Sequence, residues 1–565
     1  MTESLAPAKY ILVQAQKDKA TGLRDKLHAF TERFDRDLLI EIRLVQAIEK
    51  EVSAIGGNRL FLREPCMEGT RYDILQQIET EIKNTNGHNV IWIRGSPGVG
   101  KSALAASITK RLQDQNRHVT WFRFDRTEST TITTNALWRV VACDLARWYP
   151  SIHQHIAQGN TKLSSSNIDH LFKALIEEPL SMLKEVSHEE LPVIVIDALD
   201  ECGGLRHDPS ERKDYEGLLR TLRRWAQKDH LKKFKLVITS RPEDQIDETF
   251  PDSIRALVHI PSGTDVKSGD SASSDIYTFL KVRFDSRKME DGWVKEALDF
   301  LVPRAAGMFI WATTAADFIL VNPEARLGSL KRGDDTEGLN NLHSLYLTVI
   351  ETSFGGAQEG EIKAITSVVG ATIFAKQPLD DAVLMRLPGV KSPHMLKFIK
   401  KGLMSVIDSG SIFRFHHRSF EDFLLSPSFL KDLPKFSDVQ NRSLHEHHLA
   451  VLCLRTMASS ELHFDMCNLK SSDMRITATD KSAISPLVSY SSQFWADHLI
   501  QTQREENLTE VEFVMHEKLL FWMEVMSILG KAHEVSAILK RVLEWPGLAV
   551  CPEFISYITT LRSAG

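Results

Sequence analysis

The segment GSPGVGKS at residues 95–102 constrains the fold of this chain more than any other feature of its sequence. It satisfies the pattern GxxxxGK[ST] without a mismatch, it follows the apolar run 90–93, and a helical stretch at 103–112 comes next. In that setting glycines let backbone N–H groups converge on phosphate oxygens, and the helix N-terminus adds partial positive charge. The sequence therefore predicts a phosphate-binding loop between a buried strand and a helix.

The polar side chains of this loop have separate predicted roles. Lys101 would reach the β- and γ-phosphates of a nucleotide, and the Ser102 hydroxyl would ligate Mg²⁺. The residues predicted to bind the nucleotide here are Gly95, Ser96, Pro97, Gly98, Val99, Gly100, Lys101, Ser102 and Ala103. The alternative is a chance glycine turn, which the strand context and the full match disfavour.

An acidic segment, DALDE at 197–201, follows the apolar run 193–196. A carboxylate at the carboxyl end of a buried strand can approach the Mg²⁺ held by the loop serine, so Asp197 is predicted to be a metal ligand. Asp200 and Glu201 are candidates to position or deprotonate the attacking water. The alternative for all three is that they cap a helix or a loop.

A further strand, predicted at 234–239, leads into Ser240 and Arg241. An arginine at such a strand end can contact the γ-phosphate and stabilise developing charge. The alternative is a surface salt bridge, but the two neighbouring motifs favour the functional role for Arg241.

Short apolar runs alternate with helical stretches between residues 66 and 260. They lie at 90–93, 119–122, 193–196 and 236–239. Nearly continuous apolar strands separated by helices are typical of a parallel sheet covered on both faces. The sequence thus predicts an α/β core, with helices dominating afterwards apart from a hairpin of 404–407 with 412–415 around the turn at 408–410.

The first 65 residues have apolar positions at helical spacing, from Leu23 to Val52, and are predicted to form a helical arm. The segments 263–274 and 328–338 are rich in Ser, Gly and Asp and are predicted to be loops.

Composition and charge narrow the class of protein. The 565 residues are 42% hydrophobic and 25% charged with a net charge of −6, so a disordered chain is excluded and a nucleic-acid binder is not indicated. We expect no membrane span and no secretory signal. Six scattered cysteines without CxxC spacing fit a reducing compartment, so we expect a cytoplasmic protein.

The chain resembles the NACHT branch of signal-transduction P-loop ATPases, in particular fungal NOD-like proteins with a nephrocystin-like NTPase module. Besides the loop and the DALDE segment, the resemblance rests on these motifs: CMEGTR at 66–71, ITSRPE at 238–243, AGMFIWA at 306–312, FHHRSFEDFL at 415–424, FWADHL at 494–499 and LFWME at 520–524. It covers about residues 66–545.

The resemblance implies further site residues and a domain order. His417 would be the winged-helix histidine that touches the β-phosphate of bound ADP, with His416 as the alternative, and Thr70 and Arg71 would lie near the base or the phosphates. The implied domains are a helical arm (1–65), a NACHT P-loop domain (66–262), a helical domain (263–350), a winged-helix domain (351–432) and a C-terminal helical domain (433–565).

By this resemblance the chain is expected to be a nucleotide switch. ADP would hold it closed, and exchange for ATP with Mg²⁺ would open it toward self-association and an effector protein, with slow ATP hydrolysis resetting it. Two alternatives stay open: a non-catalytic interaction scaffold with a structural nucleotide, and a mechanical remodelling ATPase that works as a preassembled ring.

Overall fold

The computed structural model describes residues 64–125, 133–149, 151–153, 155–156, 167–183, 191–202, 209–262, 266, 270–332, 339–408, 410–468, 483–502, 508–543 and 545. The chain divides into two compact units. The first comprises residues up to Cys66, Tyr72–Arg94 and Lys101–His259, and the second comprises Met67–Arg71, Gly95–Gly100 and the residues from Ile260 onward. The predicted helical arm lies outside the described residues except for positions 64 and 65.

The first unit is built on a five-stranded sheet. Its strands are β1 (Val90–Gly95), β2 (Val119–Arg123), β3 (Val193–Asp197), β4 (Lys235–Ser240) and β5 (Arg255–Ile260). The strand order is β2-β3-β4-β1-β5, and β1 with β4, β2 with β3 and β3 with β4 are parallel pairs. The predicted α/β core is therefore confirmed, because all four predicted apolar runs lie in this sheet.

Strand β5 was not predicted from the sequence. Its side chains alternate between buried and exposed along much of its length, as expected at the edge of a sheet, so it lacks the continuous apolar run that marks the other strands.

The strand register brings polar side chains to one edge of the sheet. Arg123, the last residue of β2, lies opposite Asp197, the last residue of β3. Ile196 lies opposite Ile238, so Thr239 of β4 stands beside Asp197. This edge holds the carboxyl ends of the parallel strands.

Seven α-helices of the first unit are described. They are α1 (Tyr72–Lys83), α2 (Lys101–Asp114), α3 (Thr134–Trp148), α4 (Ile168–Phe172), α5 (Glu178–Met182), α6 (Pro209–Gln227) and α7 (Asp244–Thr249). Large aromatic side chains fill the core between helices and sheet: the rings of Trp138 and Phe172 are 4.8 Å apart, and those of Trp138 and Trp225 are 6.3 Å apart. Burial of such rings is a main source of stability for the sheet that carries the site.

The second unit is mostly helical. Its helices from 271 to 374 are α8 (Ser271–Asp285), α9 (Asp291–Ala305), α10 (Phe309–Ile319), α11 (Pro323–Lys331), α12 (Leu339–Phe354) and α13 (Glu359–Phe374). The next elements are β6 (Leu379–Asp380), α14 (Asp381–Leu384), α15 (Pro393–Leu403), β7 (Ile412–Phe413), α16 (Arg418–Leu424) and α17 (Pro427–Asp432). The last are α18 (Arg442–Ala458), α19 (Pro486–Ile500), α20 (Leu508–Phe513), α21 (Leu519–Ile528) and α22 (Val535–Leu543). A helical remainder was predicted and is confirmed, whereas the limits of the individual domains stay predictions.

A buried polar network joins α18 to α19. Glu446 Oε2 lies 2.6 Å from His498 Nδ1, and Tyr490 Oη lies 2.8 Å from His498 Nε2. Burial lowers the pKa of His498 although Glu446 opposes that shift. Because buried polar groups are costly unless they are hydrogen-bonded, this network fixes how the two helices pack.

The predicted hairpin of 404–407 with 412–415 is confirmed in part: the Asp408 N–H donates to the Arg414 carbonyl at 2.9 Å, and the His416 N–H donates to the Val406 carbonyl at 2.8 Å. Strand β7 pairs with β6 in antiparallel fashion, and a single bridge joins Ile407 to Phe415. The reason is that the chain keeps turning after α15, with the N–H groups of Val406 and Ile407 donating to the carbonyl of Leu403, so little of the segment 404–407 is extended.

The two predicted loops are shorter than expected. The segment 263–274 is already helical from Ser271, and α11 extends through Lys331 into the segment 328–338. Among the described residues, no helix is both long and apolar enough to cross a membrane.

Candidate nucleotide-binding site

The glycine-rich loop runs from the end of β1 to Lys101, the first residue of α2. Gly98 and Gly100 have φ angles of +78° and +96°, a region that L-residues with side chains rarely adopt. Apart from chain neighbours, no heavy atom of the described residues lies within 4 Å of where a Cβ on Gly100 would stand. The loop thus leaves open space at the N-terminus of a 14-residue helix, which fits a phosphate group.

The Asp197 carboxylate is held by hydroxyl groups from two elements. Ser102 Oγ donates to Asp197 Oδ1 at 3.0 Å, and Thr239 Oγ1 donates to the same oxygen at 2.6 Å. Thr239 Oγ1 also accepts the Ala198 N–H at 2.9 Å. These bonds bring the predicted serine and aspartate ligands of Mg²⁺ together.

The other oxygen of Asp197 provides a test of fit for a metal ion. Asp197 is fully buried, and within the described part of the chain Oδ2 accepts no hydrogen bond. Arg123 Nε lies 3.7 Å from this oxygen. A buried carboxylate oxygen is costly when it lacks a partner, and hydroxyl and carboxylate oxygens are the donors that Mg²⁺ prefers. The residues present therefore fit Mg²⁺.

Asp200 faces Arg241 with both of its oxygens. The Arg241 backbone N–H donates to Asp200 Oδ1 at 3.0 Å, and Arg241 Nε lies 3.4 Å from Oδ2. Asp200 is 4% exposed, whereas Glu201, in the same short 3₁₀ turn, is half-buried. The carboxylate of Asp200 is thus engaged in holding Arg241, and Glu201 is the more accessible of the two acids.

Lys101 has a perturbed proton affinity. The pKa of Lys101 is lowered from 10.5 to about 8, because burial and, to a smaller extent, the charge of Arg241 outweigh the opposing charges of Asp200, Asp197 and Glu201. A bound phosphate would favour the charged ammonium again. A buried lysine with a perturbed pKa beside a glycine-rich loop is typical of a functional site.

Thr70 and Arg71 contact the protein itself. Thr70 Oγ1 donates to the Met67 carbonyl at 2.7 Å, which closes a turn. Arg71 Nη2 donates to the carbonyl of Val99 at 2.8 Å and lies 3.2 Å from that of Gly307. These two residues are therefore placed as supports of neighbouring backbone, and their predicted contact with a nucleotide stays a prediction.

The two candidate histidines have different partners. His416 Nε2 lies 3.3 Å from Asp408 Oδ1. His417 caps α16: its Nδ1 accepts the Ser419 N–H at 3.1 Å and lies 2.7 Å from Ser419 Oγ. An accepting Nδ1 places the proton of a neutral imidazole on Nε2, which makes Nε2 the donor. His417 thus has the tautomer that a phosphate oxygen requires.

Sequence reasoning missed two residues at the sheet edge, Arg123 and Thr239. Arg123 follows the run 119–122 and Thr239 is the polar last residue of the run 236–239, and these positions at the ends of apolar runs are the available signal. Their pairing with Asp197 depends on strand order, which the sequence does not give.

Together these groups can bind an anion, hold a divalent cation and orient a water molecule. Among the described residues, no cluster of three or more His, Cys, Asp or Glu side chains could hold a metal ion. A magnesium site at Ser102 and Asp197 would therefore need phosphate oxygens and water as further ligands, as Mg²⁺ sites on nucleotides commonly do.

Comparison with known proteins gives a family match. Residues 69–241 match the family described as Nephrocystin 3, N-terminal. The vegetative incompatibility protein HET-E-1 of Podospora anserina is 24% identical over 488 residues. That alignment covers 78% of this chain and 33% of HET-E-1, so the chain spans about a third of the length of this relative.

Two solved structures have weaker similarity. A signal-transduction ATPase with numerous domains and a tetratricopeptide-repeat sensor, from Pyrococcus horikoshii, has a TM-score of 0.36 and 17% identity, and the match covers 88% of this chain and 66% of that one. The Walker-type ATPase of Pyrococcus abyssi has a TM-score of 0.31 and 13% identity, with 65% and 99% covered. Neither score supports an argument, so the fold assignment rests on the strand order described above.

The matched range contains the glycine loop, the acidic segment and the arginine strand. Residues 69–241 are therefore similar to the nephrocystin 3 N-terminal family, and a larger part of the chain is similar to a fungal vegetative incompatibility protein.

Proposed function

We propose that this protein is a nucleotide-dependent switch of the NACHT type. It binds ADP in a closed state, exchanges it for ATP with Mg²⁺, and then opens and self-associates to engage an effector in signalling of the incompatibility type. The observation that carries the proposal is the hydrogen bond from Ser102 to Asp197, which joins the start of the helix after the glycine-rich loop to the carboxyl end of β3.

The ligand roles follow from the chemistry of the side chains. Lys101 and the loop N–H groups would bind the phosphates, and Ser102 and Asp197 would hold Mg²⁺. The bound Mg²⁺ would neutralise phosphate charge. Arg241, held by Asp200, would respond to the γ-phosphate, which ADP lacks.

The tautomer of His417 supports its role in the closed state. Because Nδ1 accepts from Ser419, a neutral imidazole carries its proton on Nε2, which is the nitrogen that would donate to the β-phosphate of ADP. The proposed winged-helix character of 351–432 is supported by the antiparallel pair of β6 and β7 lying within a set of short helices.

Slow hydrolysis would reset the switch. Water attacks the γ-phosphorus, the bond to the β–γ bridging oxygen breaks, and ADP and phosphate result. Glu201 is the better candidate to orient that water, since the oxygens of Asp200 face Arg241. A nucleotide shifts the equilibrium of a switch only by its differential affinity for the two states. Slow turnover would keep the ATP-bound state populated long enough to signal.

The test is the nucleotide that denaturation releases from freshly purified protein. We expect about one ADP per chain from the wild type and from Lys110→Ala, an exposed lysine on the same helix, and loss of ADP from Lys101→Ala. Size-exclusion chromatography with added ATP and Mg²⁺ then measures self-association.

Other outcomes identify the alternatives. An empty wild type that also fails to bind added ATP with Mg²⁺ would leave the interaction scaffold as the better account. Fast turnover by a ring that is already assembled without nucleotide would favour a remodelling ATPase.

A further inference from the structure

The carbonyl groups behind the glycine loop are bonded to residues far away in the sequence. A loop that turns its N–H groups toward an anion must turn its carbonyl groups the other way. The Gly98 carbonyl accepts the Ile310 N–H at 3.0 Å, and the Val99 carbonyl accepts from Arg71 Nη2 at 2.8 Å. Val99 is fully buried, so water cannot replace this donor.

The guanidinium of Arg71 is committed to protein groups. Arg71 is 3% exposed; besides Val99 it contacts the Gly307 carbonyl at 3.2 Å, and its Nε lies 3.9 Å from Asp275 Oδ2. Its Cζ lies 4.9 Å from the centre of the Phe309 ring. A buried charge needs nearby groups that stabilise it, and the two carbonyls, the carboxylate and the aromatic ring lie close to this guanidinium.

Peptide planarity links this contact to the phosphate side of the loop. The carbonyl of Val99 and the N–H of Gly100 belong to one planar trans peptide, so they point in opposite directions. By holding the carbonyl, Arg71 fixes the direction of the Gly100 N–H. The Ile310 N–H does the same for the peptide that joins Gly98 to Val99.

The backbone of Arg71 supports this role. Its φ of +57° is unfavourable for a residue with a side chain. Such strained positions persist when surrounding contacts compensate for them, and they concentrate at functional sites. Here the compensating contacts are the ones that reach the glycine loop.

We propose that Arg71 is a positioning residue that aims the Gly100 N–H at a nucleotide phosphate without touching the nucleotide. The proposal rests on the proposed function, because it concerns the same phosphate site. It differs from the expectation that Arg71 contacts the base or the phosphates directly. Because Arg71 would act through the loop, its effect on affinity should depend on the diphosphate group of the ligand and not on the attached base.

The experiment compares Arg71→Met with Arg255→Met in the full chain. Arg255 is also a buried arginine, paired with Asp247 and stacked on Trp92, and it serves as the control. Calorimetric titration measures affinity for ADP and for inorganic pyrophosphate, which lacks base and ribose. Circular dichroism checks the fold of each variant.

We expect Arg71→Met to lower the affinities for ADP and for pyrophosphate by the same factor of about ten or more, because a hydrogen bond from a charged group is lost. Arg255→Met should leave both affinities within about twofold. Hydrogen exchange of a peptide spanning residues 95–101 should accelerate in ligand-free Arg71→Met alone. Should that variant not fold, Arg71→Lys keeps the buried charge but not the planar fork, and a smaller, equal loss on both ligands is expected.

Several results would overturn the proposal. Unchanged pyrophosphate affinity in a folded variant would show that Arg71 does not orient the loop, and loss of ADP affinity alone would show that it contacts the base. If the wild type binds neither ligand, the proposed function fails, and hydrogen exchange of residues 95–101 still decides whether Arg71 orients the loop.

Discussion

Nucleotide affinity should fall about tenfold when the pH rises from about 7 to about 9, because Lys101 must be charged to bind phosphate. Its pKa in the ligand-free protein is about 8, so the charged fraction falls from about nine-tenths to about one-tenth over this range. Binding above pH 8 therefore requires uptake of a proton, and each further pH unit lowers the affinity about tenfold. A lysine at its ordinary pKa of 10.5 would leave the affinity almost constant.

The assay is a titration with ADP at several pH values, repeated with Lys101→Arg. Arginine stays charged throughout this range, so its profile should be flat. The midpoint should move below 8 in Asp200→Asn and above 8 in Arg241→Met, because the first charge raises the pKa of Lys101 and the second lowers it. A wild-type affinity that is constant up to about pH 9, or shifts of the same sign in both variants, would refute this reasoning.

Two further predictions concern the metal and the histidines. Asp197→Asn should remove most of the stimulation of ATP binding by Mg²⁺, because the carboxylate that accepts from Ser102 loses its charge. ATP titrations with Mg²⁺ and with a chelator measure this stimulation, and undiminished stimulation would contradict the assignment of Asp197 as a ligand. His417→Ala should speed the release of bound ADP at least several-fold, because a donor to phosphate is lost, whereas His416→Ala should leave the release rate unchanged. A chase with unlabelled nucleotide measures the release rate, and equal rates in the two variants would exclude the assignment of His417.

The sequence predicts the parts of the site that depend on local spacing. The loop at 95–102 carries its own strand and helix, and DALDE follows its own strand, so each motif indicates its place at the sheet edge without knowledge of the strand order. The apolar runs predict the sheet for the same reason, since burial on both faces leaves a continuous pattern.

The contacts that the sequence does not predict join distant positions. Arg71 reaches Val99 across 28 positions and Gly307 across 236, and neither interval carries a periodic signal. Likewise, Arg123 meets Asp197 because β2 lies beside β3. The hairpin at 404–415 is present only around the bridge of Ile407 with Phe415, and the pairing of β7 with β6 is a distant contact that the sequence does not indicate.

Gly98 limits which substitutions the glycine-rich loop of this chain can tolerate. A Cβ at this position would lie 1.8 Å from Ile310 Cγ2, and the φ of +78° would be strained even if that isoleucine were smaller. Any replacement must therefore satisfy two unrelated requirements, and a change at position 310 relieves only one of them.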